Sequence, residues 1–145
     1  MKTGLVTQFS SLLDYAIKYL PGNVYEHSVR VMQYVMCNAN IPMDIHDECI
    51  LVAIAHDLIE DGKIDLCDLP SLDEDVFTAI ELISKDQREP YIEYIKNICS
   101  KRGTRYGAIA YWVKMADMKD HFAQKATLTD KLKAKYLEAL PYLLP

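Results

Sequence analysis

No segment of this 145-residue chain offers the apolar run of a membrane span, which needs ~20 consecutive residues. The N-terminal stretch MKTGLVTQFSSLLDYAIKYL is interrupted by Asp14 and Lys18, and no small-residue cleavage signal follows it. A basic excess is missing too. The formal net charge is −5, which argues against general binding to nucleic acid or to an anionic membrane. An anionic ligand would then need a local positive centre, and a bound cation is one way to supply it. The four cysteines, Cys37, Cys49, Cys67 and Cys99, form neither a CxxC pair nor a zinc-ribbon spacing. Each lies in or beside an apolar segment, so buried reduced thiols are expected, as in a soluble cytoplasmic protein. Alternating strands, internal repeats and low-complexity linkers are also lacking.

What is present is one helix after another. Leu12, Leu13, Ala16, Ile17 and Leu20 recur at helical spacing, and Pro21-Gly22 stops that helix. A second starts near Asn23, a good N-cap, and sets Val24, His27, Val31 and Val35 on one face. Asn40-Ile41-Pro42 breaks it. Asp44 or Asp47 caps a third, ECILVAIAHDLIED, ending at Gly62; as the most continuously apolar segment it belongs at the centre. After the loop KIDLCDLP, Ser71 and Glu74 have the spacing of a capping box for a helix through Ile83. Pro90 suits the first turn of PYIEYIKNICSK. Lys101-Arg102-Gly103-Thr104-Arg105 reads as a solvated turn before the long helix YGAIAYWVKMADMKDHF. A last helix, after Thr127 or Thr129, carries Leu132, Tyr136, Leu137 and Leu140. The expected architecture is a single all-α domain over residues 1–145, a compact bundle of about six to seven helices.

Certain polar residues stand where this pattern wants apolar ones. His56-Asp57 directly follows ILVAIA, and burying both is costly unless something compensates them. Glu60 and Asp61 follow four residues after His56 and Asp57, on adjacent rows of the expected helix. Carboxylates crowded beside a histidine repel unless a divalent cation or a protonated carboxyl relieves them. His27 interrupts the Val24–Val31 stripe, and Asp117 follows YWVKMA. Singly, each has a plain structural account: a backbone carbonyl for His56, a Lys or Arg for Asp57, a satisfied core position for His27, and a salt bridge to Lys114 for Asp117. Together they supply two imidazoles and two carboxylates, a mixed set that suits a borderline divalent ion with positions left for water. Manganese is the first candidate, with iron, zinc, cobalt or nickel as alternatives. His46-Asp47, ten residues earlier, lies about 15 Å away along a helix; it is excluded from that ion and assigned a capping role.

The arrangement resembles the HD-domain superfamily of metal-dependent phosphohydrolases. Within it, AHDLIEDG is similar to the H-D-x-x-E-D stretch of RelA/SpoT-type (p)ppGpp hydrolases, and VKMADMKDH to their K-x-A-D-x-x-x-N segment. ISKDQREPYIEYI and TLTDKLKAKYLEALPYLL look like the small stand-alone members of that branch. The resemblance implies that His27, His56, Asp57 and Asp117 hold the metal and that Glu60 and Asp61 serve the attacking water. Lys114 would meet a phosphate. Lys85, Arg88 and Lys119 are weaker candidates for that role, Arg88 and Tyr91 lie near a helix start where a phosphate or base could dock, and His121 is a further candidate substrate contact. Two departures stand out. His121 replaces the pattern's Asn, and PGNVYEH lacks the usual Arg before the first His. The implied function is hydrolysis of a phosphoester or pyrophosphate bond of a nucleotide, with (p)ppGpp one candidate. The alternatives are a metal-holding nucleotide sensor without catalysis and a metal-free buried polar network.

Overall fold

Residues 51–55, Leu-Val-Ala-Ile-Ala, are apolar on every side, and a helix that buries all its faces has to be surrounded. The computed structural model describes residues 4–144. Among them are seven α-helices and no strand: α1 (Leu5–Tyr19), α2 (Gly22–Cys37), α3 (Met43–Ala55), α4 (Glu74–Ile83), α5 (Tyr91–Ser100), α6 (Arg105–Ala123) and α7 (Asp130–Leu143). A 3-10 turn, Leu66–Asp68, lies between α3 and α4. Helix α3 is the apolar centre, with Ile45, Cys49 and all of Leu51–Ala55 buried. Around it pack α1, α2, α4 and α6. Helix α6 is the second axis, touching α2, α3, α4, α5 and α7. It buries Ile109, Val113 and Met118, but also Lys114, Asp117 and Asp120. Among the described residues no helix is long and apolar enough to cross a membrane.

Several helix starts differ from the sequence pattern, each for a local reason. Helix α2 begins at Gly22 after Pro21, so Asn23 is not its cap. Helix α3 begins at Met43, and neither His46 nor Asp47 caps it. The His46 Nε2 atom instead lies 3.1 Å from the Val35 carbonyl oxygen, tying α3 to α2. The Ser71–Glu74 capping box does not form, because α4 starts at Glu74 with Asp73 before it. The Asp73 N–H donates to Gln8 Oε1 at 2.9 Å and Gln8 Nε2 donates to Asp73 Oδ2 at 3.3 Å, which pins α1 to the start of α4. Thr129 does cap α7, accepting from the Leu132 N–H. Residues 101–104 form the expected exposed turn, but Arg105 is the first residue of α6 and, though exposed, is not unpaired. Its guanidinium pairs with Asp44 (3.5 Å), Glu48 (2.9 Å) and Asp75 (3.2 Å), holding the start of α6 to α3 and α4. Arg102 lies on the Tyr111 ring face, 3.8 Å from its centroid. The thiols are all free, but only Cys49 is buried; Cys37 and Cys67 are exposed.

Gly107 carries the closest backbone approach. Thr104 caps α6 by accepting the Gly107 N–H, and a Cβ at 107 would lie within bonding distance of the Lys101 carbonyl oxygen, at 1.8 Å. The obstacle is backbone and cannot rotate away. Gly107→Ala is therefore expected to destabilise the protein by about 1–3 kcal/mol, read as a lower urea midpoint. An unchanged midpoint would mean that the 101–104 turn yields freely.

Candidate metal centre

Helix α3 stops at Ala55, where its apolar run gives way to His56-Asp57. His56 donates from Nδ1 to the Ala53 carbonyl at 2.7 Å, occupying an acceptor that another helical turn would use. The Leu58 N–H then bonds back to Ala55 at 3.0 Å, and residues 57–61 form turns rather than helix. The expected helix to Gly62, with His56–Glu60 and Asp57–Asp61 on adjacent rows, is therefore corrected. An α-turn, Asp61 N–H to Asp57 oxygen at 2.8 Å, replaces it. Gly62 packs so closely that a Cβ would sit 2.4 Å from the Leu58 oxygen. The left-handed residue that follows is Lys63, with φ 55°. This turn still aims Asp57, Glu60 and Asp61 into one cavity of about 490 Å³, shared with His27, His56 and Asp117.

The two imidazoles are oriented by what their Nδ1 atoms do. A carbonyl has no proton to give, so the His56–Ala53 bond places a proton on His56 Nδ1. His27 Nδ1 donates to Asp120 Oδ2 at 2.6 Å, and that buried carboxylate also accepts from Arg30 Nε and Nη2 at 2.8 and 3.1 Å. In neutral rings Nε2 is then the lone-pair nitrogen, and both point inward. His27 Nε2 lies 2.8 Å from Asp117 Oδ1 and 3.7 Å from Asp57 Oδ2. His56 Nε2 lies 3.2 Å from each of the same two oxygens. Lone pairs facing lone pairs repel; either a cation among them or a second proton on each ring removes the conflict. Donors bound to one ion at about 2.0–2.2 Å stand about 3–3.5 Å apart at neighbouring coordination positions, and these separations straddle that range. His121 Nε2 also approaches Asp117 Oδ1, at 3.2 Å. In this cavity the residues that could hold an ion thus form two triads sharing His27: His27, His56 and Asp57, and His27, Asp117 and His121; a third group, Asp65, Cys67 and Asp68, lies exposed on the 3-10 turn.

Electrostatics divides the roles. Burial works against a charge on Asp117, yet Lys114, then His121, His27 and His56 hold its carboxyl well below the usual range. Lys114 Nζ donates to Asp117 Oδ2 at 2.7 Å; the simple salt bridge therefore exists, but it uses the other oxygen. Burial also opposes the charge on His56, but Asp57 and Asp117 outweigh it and push the ring up to about 9. Glu60 and Asp61, unlike Asp117, are raised, first by desolvation and then, for Asp61, by the charge of Asp57. The Lys85 N–H donates to Glu60 Oε1 and steadies that side chain.

The proposed substrate contacts are only partly assembled. Lys85, Tyr91, Lys114 and His121 line the cavity. Arg88 does not; it is exposed in the loop before α5, where its N–H bonds Asp86. Lys119 faces outward over the Tyr34 ring. Among the lining residues not assigned to the site from sequence are Arg30, Asp120, Lys135 and Tyr136. Asp120 and Arg30 each lie three residues after a proposed ligand, on the same helical face, so a periodicity signal for them existed. Lys135 and Tyr136 arrive through the packing of α7, with no local signal. Lys135 Nζ sits 4.3 Å from the centroid of the Tyr91 ring, and Lys114 Nζ sits 5.6 Å from it. Burial and then Lys114 and Lys85 depress the Lys135 ammonium, as expected where three lysines converge. Compared with known proteins, the chain matches no family model and no curated sequence.

Because His56 is raised from 6.5 to about 9, its second proton stabilises the metal-free fold. That contribution is complete below pH 6.5 and is lost as pH rises through 9. For chelated protein, the His56 contribution to urea stability should fall across that window. A profile equally flat in the wild type and in His56→Gln would refute this charge assignment.

Proposed function

We propose that this chain is a metal-dependent phosphohydrolase of the HD type, acting on a nucleotide-like substrate. One observation carries the reading: two imidazoles whose Nδ1 protons are spoken for turn Nε2 toward Asp57 and Asp117 inside a lysine-lined cavity. The donor chemistry fits a borderline divalent ion, with His27, His56, Asp57 and Asp117 as its holders. Such an ion would acidify water and offset phosphate charge. A cavity of about 490 Å³ lies within the size range of small-molecule sites.

The remaining chemistry belongs to side chains. Glu60, its proton affinity raised by desolvation, takes the proton of the attacking water as the water oxygen forms the new P–O bond. Asp61 relays that proton to solvent, and the departing oxygen keeps the electron pair of the bond that breaks. The bridging P–O bond breaks on the opposite side of phosphorus. Lys114 is committed to Asp117, which leaves Lys85 and Lys135 to bind further phosphate oxygens. Tyr91 and Tyr136 offer ring faces to a base. A second reading, a nucleotide sensor without turnover, is favoured by His121, which crowds the centre where the resemblance calls for Asn.

The test is metal analysis followed by a nucleotide panel with Mn²⁺: (p)ppGpp, nucleoside monophosphates and nucleoside triphosphates. The expected result is about one ion per chain and cleavage of at least one nucleotide. Glu60→Gln should keep the metal and lower kcat by about 10²–10⁴-fold. Micromolar binding without product would favour the sensor. No metal, with no cleavage beyond that of His56→Ala, would end the enzyme reading.

Asp120 supports a separate expectation. Its side chain is fully buried and orients His27 without facing the ion. Outer partners of this kind contribute about 10–100-fold to metal affinity. Asp120→Asn should weaken binding by that factor in competition with a chromophoric chelator. Unchanged affinity would reduce Asp120 to a partner for Arg30.

A further inference from the structure

His121 is placed by a three-ring stack. Its imidazole lies between His27, at 4.7 Å between centroids and 29°, and Tyr136, at 4.8 Å and 21°. The stack joins α2, α6 and α7 and directs His121 Nε2 at Asp117 Oδ1, 3.2 Å away. That oxygen is also approached by His27 Nε2 at 2.8 Å and His56 Nε2 at 3.2 Å, while Oδ2 is taken by Lys114. A carboxylate oxygen has two lone pairs. Three imidazole nitrogens converging on one such oxygen exceed what it can accept as hydrogen bonds. A cation shared among them turns the crowding into a coordination sphere.

We infer that His121 is a fifth protein ligand of the proposed ion, making the centre one of three imidazoles and two carboxylates. This rests on the metal reading above and deepens it. The consequence is selectivity. Each carboxylate or water replaced by imidazole shifts preference away from manganese and magnesium toward zinc, cobalt, nickel and iron. The manganese-first expectation from the four-residue set is thereby displaced. A fifth protein donor also leaves fewer positions for water and phosphate. The competing account is a neutral His121 that merely donates Nε2–H to Asp117. In His121→Gln an amide remains to donate that hydrogen bond, but the imidazole ligand is gone.

The experiment uses the full chain, stripped of metal and titrated separately with Zn²⁺, Co²⁺ and Mn²⁺. Wild type should prefer Zn²⁺ and Co²⁺. His121→Gln should lose about tenfold or more in affinity for both, lose less for Mn²⁺, and change the visible Co²⁺ spectrum. Should the variant fail to fold, long-range 1H–15N spectra of the zinc-loaded wild type decide the matter. There His121 Nε2 is expected as a metal-bound nitrogen without a proton. A retained Nε2–H, or a variant with wild-type affinities and Co²⁺ spectrum, overturns the inference while leaving the four-ligand centre standing. If wild type binds none of the three ions, the metal reading falls, and this inference with it.

Discussion

The Asp117 carboxylate is the constraint around which the rest is arranged. It is buried in the middle of α6, where an uncompensated charge would cost several kcal/mol. Lys114, one turn earlier on the same helix, compensates Oδ2 alone. That pair by itself would leave Oδ1 buried without a partner. Oδ1 faces His27 from α2, His56 from the end of α3 and His121 from its own helix. Three elements are thus committed to one oxygen. Aligning them requires α6 to lie against both α2 and α3, as it does. The apolar sides of α3 and α6 drive that packing, while the polar cluster selects how their ends meet.

The backbone at the end of α3 shows how side chain and main chain cooperate there. A helix continuing past Ala55 would have pointed Asp57 and Asp61 along one row. The His56 imidazole takes the Ala53 carbonyl instead, and the chain turns. One hydrogen bond therefore ends the helix, fixes the ring tautomer and redirects the three following acids. The close contact of Gly62 with the Leu58 carbonyl lets the turn close within a few residues.

The same bond explains much of what sequence periodicity reaches and what it misses. Helix number and class were legible because apolar spacing reports burial, and α3 was recognisable as the centre by its unbroken run. The pairing of His56-Asp57 with His27 and Asp117 was legible as polar exceptions on apolar faces. Four things were not. The end of α3 depends on a ring reaching back three residues, which no propensity encodes. Arg105 looked like a solvated turn residue because Asp44, Glu48 and Asp75 lie far from it in sequence. Cys37 and Cys67 sit beside apolar residues yet face solvent, since adjacency in sequence is not adjacency in the core. Lys135 and Tyr136 reach the cavity only because α7 docks on α5 and α6.

The charge lining the cavity gives the proposed chemistry an order. Its carboxylates are Glu26, Asp57, Glu60, Asp61, Asp117 and Asp120; its basic side chains, histidines aside, are Arg30, Lys85, Lys114 and Lys135. Six against four leaves an acidic interior in a chain that is acidic overall. In the metal-free protein the second proton of His56 offsets one of those acids, so a phosphate arriving there still finds no net positive field. A divalent ion among the acids would, under the proposal, balance the excess and leave Lys85 and Lys135, which are not committed to Asp117, as the anion site. Under the proposal, metal and anionic substrate are then coupled ligands: each strengthens the other's binding by the same factor. Protons on His27 and His56 compete with the ion for the same lone pairs. Low pH and chelation would therefore both displace the ion, but at low pH the imidazole protons retain positive charge that chelation alone removes.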